Sequence, residues 1–79
     1  MKFHFERKER YFVLRVYSDL LGDWVVERIN GRKHTKLGGV RRDVCPDRAS
    51  AVAHLFDLAR HRIERRHYQL VDDIRGYHQ

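Results

Sequence analysis

Asp23-Trp24-Val25-Val26-Glu27-Arg28-Ile29, running into Asn30-Gly31-Arg32, is the stretch on which the fold turns. Its branched and aromatic residues read as a β-strand. Trp24, Val26 and Arg28 point one way, and Val25, Glu27 and Ile29 the other. A basic, glycine-bearing run follows the Gly-Arg corner: Lys33-His34-Thr35-Lys36-Leu37-Gly38-Gly39-Val40-Arg41-Arg42. Residues 30–39 are expected to form a loop, in which Gly38-Gly39 permits backbone angles that other residues resist.

Upstream, Tyr11-Phe12-Val13-Leu14-Arg15-Val16-Tyr17 also reads as strand, the antiparallel partner of the first. Ser18-Asp19-Leu20-Leu21-Gly22-Asp23 between them carries turn chemistry. Residues 1–9, with Phe3 and Phe5 among alternating charges, are either an extended lead-in or an edge strand. Downstream, Val40 to Cys45 is a third strand with imperfect alternation, because Val40 and Val44 share a face with Arg42. Either a bulge restores the register or Cys45 is the buried residue. Pro46-Asp47 stops the strand, and Asp47 is placed to cap a helix from about Arg48 to Arg66.

Val52, Leu55, Phe56, Ala59 and Ile63 form the helix's apolar stripe, while Arg60, Arg62, Arg65 and Arg66 crowd its last turns, where cations suit the dipole. Tyr68-Gln69-Leu70-Val71 reads as a short final strand, before a tail beginning at Asp72. The expectation is an α+β domain: a small antiparallel sheet of three to four strands packed by one long helix. Its core spans about 10–72 and its flexible tail about 73–79.

Seventy-nine residues suffice for one small domain, and 42% hydrophobic with 35% charged residues describes a heavily solvated but globular chain. A net charge of +6 attracts polyanions, of which nucleic acid is the commonest; the plainer reading is a solubility surface on a small bacterial-type protein. One cysteine, Cys45, cannot form an internal disulfide. No apolar run approaches a membrane span and the N-terminus has no signal-type apolar region, so a soluble, cytoplasmic protein is expected.

The sequence offers little chemistry of other kinds. His54, Asp57 and His61 share one helix face, but it lies opposite the apolar stripe and lacks a further ligand; Asp57 and His61 are better read as a surface pair. Cys45 has no partner at a recognisable spacing, and no nucleophile–base, P-loop or paired-carboxylate pattern is present. No enzyme, metal or cofactor is expected. Trp24, Tyr11, Tyr17 and Tyr68 are assigned to the core rather than to stacking platforms, and Tyr77 to the tail.

The order of these features resembles the WGR domain, a small module named for a Trp-Gly-Arg tripeptide. The likeness covers about residues 10–72. It takes in Gly22-Asp23-Trp24 at the entry to a strand, Arg28-Ile29-Asn30-Gly31-Arg32 at its end, Thr35-Lys36-Leu37-Gly38-Gly39, the long helix, and Arg65-Arg66-His67-Tyr68. Asn30 stands where the family has Trp, and His67 where Gly is usual. The resemblance implies an accessory, non-catalytic module that binds DNA ends. In it Arg32 contacts backbone phosphate through its planar fork and Gly31 brings the main chain close. Asn30 lacks the flat face of an indole, a loss worth about 1–3 kcal/mol per stacked base.

Between Arg28 and Arg48 lie seven basic residues and two acidic ones. The expected nucleic-acid site is therefore Arg28, Asn30, Gly31, Arg32, Lys33, Lys36, Arg41 and Arg42, contacting phosphate, with DNA as the expected partner. The alternative is a protein-interaction module, with an acidic partner or as a homodimer, because a short sheet leaves edges open.

Overall fold

In a computed structural model, residues 1–74 are described, Ile74 by its backbone alone. The elements are β1 (Lys2–Arg7), β2 (Arg10–Ser18), β3 (Trp24–Arg32), β4 (Gly38–Cys45), α1 (Arg48–Glu64) and β5 (Gln69–Ile74). The strands form one five-stranded sheet in the order β4-β3-β2-β1-β5, and each neighbouring pair is antiparallel. The α+β class is as expected, but the sheet has more strands than the three to four anticipated. Helix α1 carries the chain from one edge strand to the other, packing across β2, β3 and β4.

Strand β1 is interior, not a lead-in or an edge. Its period-2 pattern explains why: Phe3 and Phe5 are buried under the helix, while Lys2, His4 and Glu6 face the open side. The remaining core comprises Phe12, Leu14, Val16 and Val26 from the sheet, Ala51, Leu55 and Ala59 from α1, and Tyr68. The buried helical seam is therefore Ala51-Leu55-Ala59, turned from the expected stripe. The sheet supplies three phenylalanines, so the helix needs small residues at its closest approach. Val52 packs at the margin, and Phe56 and Ile63 remain partly exposed.

Two expected boundaries move. Residues 30–32 and 38–39 are ladder rather than loop, with Asn30 opposite Gly39 and Gly31 opposite Gly38. Only Lys33–Leu37 connects the two strands. Likewise β5 continues through Asp72 to Ile74, past the expected start of the tail; Tyr77 lies outside the described residues. Strand β4 pairs with β3 without a bulge. Its valines face solvent and Cys45 packs against the core margin. The sheet's irregularity falls instead between His4 and Phe5, where β1 meets β5. The cap is as the sequence implies: Asp47 Oδ1 accepts from the Ser50 amide at 2.8 Å, which holds its carboxyl below the ordinary range. Among the described residues no helix is long and apolar enough to cross a membrane.

Candidate nucleic-acid interface

Three chain reversals converge at one end of the sheet: the β1–β2 turn at Lys8-Glu9, the loop Lys33–Leu37, and the exit from α1. The Lys33 amide donates to the Glu9 carbonyl at 2.7 Å, tying the first two together. The loop is built on Thr35, whose hydroxyl donates to the Arg32 carbonyl (2.9 Å) and accepts from the Leu37 amide (3.1 Å). The chain leaves α1 through His67 in the left-handed region (φ +59°), and the Tyr68 amide returns to the Arg62 carbonyl at 3.0 Å.

At this end the register sets Arg7 opposite Arg10 and Arg10 opposite Arg32. Like charges directly opposite across antiparallel strands destabilise a sheet, yet here they run in a row across β1, β2 and β3. They share the face that carries the helix, as do Phe3, Phe5 and Phe12 two or more positions along. Arg62 and Arg66, from the end of α1, close the row into an open cleft of about 400 Å³ whose walls include Arg10, Arg32, Asn30, Gly31 and Tyr68. No carboxylate lines it. Among the described residues, Arg7, Arg10, Arg32, Arg62 and Arg66 have no ion-pair partner.

Arg62 is the most constrained of these. Its guanidinium carbon lies 3.7 Å from the centroid of the buried Phe12 ring and 5.4 Å from that of Tyr68. Burial pushes its pKa below the ordinary guanidinium range, and the positive charges of Arg66 and Arg28 act in the same direction. The C-terminus of α1 contributes about half a negative charge, which does not offset several guanidinium groups. An anion entering the cleft meets one donor, Arg62, held in place by packing on Phe12 and Tyr68, and exposed arginines around it.

The expected site residues do not stay together. Asn30, Gly31 and Arg32 reach the cleft. Lys33 turns away and donates to Glu6 Oε1 at 2.7 Å, which holds the Glu6 carboxyl below its usual range. Lys36 is exposed in the loop. Arg42 Nε donates to Glu27 Oε2 at 2.8 Å on the open face of the sheet. The Tyr17 hydroxyl and then the Glu27 carboxylate hold its pKa above the ordinary value. Arg28 pairs with Asp43 Oδ2 at 2.9 Å beside α1, and His54 Nε2 lies 3.0 Å from the same oxygen. Arg41 is 4.0 Å from Asp43 and mostly exposed. His54 lowers the Asp43 pKa most, then Arg28, with burial opposing them. His54 therefore lies in contact with the Asp43 carboxylate, and Asp57 pairs with Arg60 rather than His61. Among the described residues no group of His, Cys, Asp or Glu converges to hold a metal ion.

Within the sheet, two of the glycines answer to their neighbours. Gly31 makes room for Tyr11, its cross-strand neighbour: a Cβ there would sit 2.5 Å from the Tyr11 hydroxyl oxygen. At Gly38 the backbone has φ +154°, and a Cβ would overlap the Asn30 carbonyl. Gly39 is under no such demand. Sequence reading missed Arg7 and Arg10 as partners of Arg32. Only the strand register reveals that residues so far apart stand side by side.

No protein-family model, no curated protein and no solved structure matches the chain.

Proposed function

We propose that the chain is a non-catalytic, WGR-like module that binds nucleic acid through the phosphate backbone, with the arginine cleft as its centre. The observation that carries this reading is the cleft of Arg10, Arg32, Arg62 and Arg66, which no carboxylate lines, continued by Arg7 in an adjoining hollow that also holds Glu9. Adjacent strands are about 4.8 Å apart, so the row spans about 10 Å, long enough to reach more than one phosphate of a duplex strand. Arginine suits the task because its fork can donate two parallel hydrogen bonds to a phosphate. Asn30, at the cleft wall, replaces stacking with hydrogen bonding, so contacts read backbone rather than bases.

The test is fluorescence anisotropy of a labelled 16-base-pair duplex across a salt series. Affinity should fall linearly on a log–log plot, with a slope of about −0.9 for each phosphate neutralised. A flat salt dependence, or no binding in low salt, would rule the reading out.

A further inference from the structure

Three rows of side chains cross the open face of the sheet and stop at the edge strand β4. The register makes them Val13-Ile29-Val40, Arg15-Glu27-Arg42 and Tyr17-Val25-Val44. The two outer rows end on valines, and the middle row alternates base, acid, base. Within the sheet the rows are covered, with Val13 at 9% and Val25 at 5% exposure. At β4 they end in water, with Val40 at 54% and Val44 at 68%. Glu27 is shared between Arg15 and Arg42, so the middle row stops on a base whose neighbour across the edge would be an acid.

Sheet edges are normally blunted by brevity, a bulge, proline or charge. Strand β4 has eight residues, contains no proline and pairs with β3 without a bulge. Among the described residues no backbone hydrogen bond crosses its outer side. Charge alone guards it, through the exposed side chains of Arg41 and Arg42. That guard is selective. Two β4 strands laid antiparallel in full overlap would set Arg41 of each copy opposite Arg42 of the other, whereas an acidic strand is attracted. The other edge has the reverse character, because β5 carries Asp72-Asp73. Strand β5 of a second copy does not fit β4 either. Its register shift leaves Asp72 and Ile74 on the open face and turns Leu70 to the helix face beside Phe5.

We propose that β4 takes up an extended acidic peptide of another protein as a sixth strand, antiparallel like every pair already in the sheet. The peptide continues all three rows. It sets an apolar residue opposite Val44, a neutral one opposite Asp43, acids opposite Arg42 and Arg41, and an apolar residue opposite Val40. Main-chain bonds supply affinity in this mode, and the alternating side chains supply the choice of sequence. The inference goes beyond nucleic-acid binding, and its test contains no nucleic acid.

The test is an NMR titration of the labelled protein with the peptide Ser-Val-Thr-Glu-Glu-Val-Thr-Ser. Amides of residues 39–45 should shift and exchange more slowly with solvent, with backbone cross-peaks between β4 and the peptide. A peptide with lysine for both glutamates should not bind, and Arg41→Glu should weaken the acidic peptide by about tenfold. Shifts centred on Arg32, Arg62 and Arg66 overturn the proposal, because the acidic peptide then lies in the arginine cleft. So do β4 shifts that follow protein concentration before any peptide is added, which mark a second copy on the edge. Equal binding of the lysine peptide, or no β4 shifts with the acidic one, also overturns it. The lysine peptide decides without any substitution in the protein, so the outcome stands even where Arg41→Glu does not fold.

Discussion

Two sets of arginines lie on opposite faces of the same sheet, and they differ in one respect. On the open face Arg15 and Arg42 flank Glu27, whose side chain is only 6% exposed. Arg42 Nε donates to it at 2.8 Å, and the Tyr17 hydroxyl donates at 3.5 Å. Arg15 Nε lies 2.9 Å away in a charge contact that is off-line for a hydrogen bond. The Arg15 guanidinium also rests 4.9 Å from the Tyr17 ring centroid. On the helix face Arg7, Arg10 and Arg32 stand in a row; Glu9 lies beside them in the turn, yet among the described residues none of the three has an ion-pair partner, and no carboxylate lines the cleft that Arg10 and Arg32 share with Arg62 and Arg66. The first set has its acceptor built in; the second has donors awaiting one. Density of positive charge along the chain does not separate the two. The position of the carboxylates does.

The comparison breaks most visibly under charge reversal. Arg32→Glu with Arg66→Glu should lower duplex affinity by about 100-fold, or about 2.7 kcal/mol, with the melting temperature unchanged or raised as like charges are relieved. Equal loss from Arg15→Glu with Arg42→Glu in a folded protein would erase the distinction. Next in size, Glu27→Ala should cost about 2 kcal/mol in urea unfolding, since charge-assisted hydrogen bonds are lost from a buried site, while affinity changes less than about twofold.

Replacing Arg62 with Met keeps the cover over Phe12 and removes the charge. Affinity should fall about tenfold with stability held within about 0.5 kcal/mol; a large stability loss instead would make Arg62 a structural residue. The smallest effect concerns acid. The folded-state pKa of Asp43 is depressed, so its contribution is present above the ordinary aspartate value of about 3.9 and is lost as pH falls through the folded value. Asp43→Asn should therefore flatten the stability–pH curve below about pH 4, by less than about 1 kcal/mol because the pair is partly solvated. Chemical denaturation at pH 3 and pH 7 reads it directly.

Much of the fold was legible because it rests on local patterns. The alternations at Tyr11–Tyr17 and Trp24–Ile29, the cap at Asp47 and the helical spacing each follow from neighbouring residues. What escaped depends on contacts distant in sequence. The charges around Phe3 and Phe5 masked an interior strand, because whether Lys2, His4 and Glu6 face water depends on which face the helix covers. Gly31 and Gly38 suggested a loop, whereas the one makes room for Tyr11 and the other sits against the Asn30 carbonyl within a ladder.

The candidate site was legible in Asn30-Gly31-Arg32, while the arginines at the end of the helix read only as partners of its dipole. It was not legible in Arg7 and Arg10, which join them only through register, nor in the diversion of Lys33, Arg28 and Arg42 to Glu6, Asp43 and Glu27. Pairing across strands decides which cations remain available, and a single sequence does not display it.

The most direct measurement is an NMR titration of the labelled protein with a short duplex at low and at moderate salt. The account predicts shifts at Arg7, Arg10, Asn30, Gly31, Arg32, Arg62 and Arg66 that fade with salt, while Arg15, Glu27 and Arg42 stay still. Shifts centred on the open face around Glu27, or none at low salt, would contradict it.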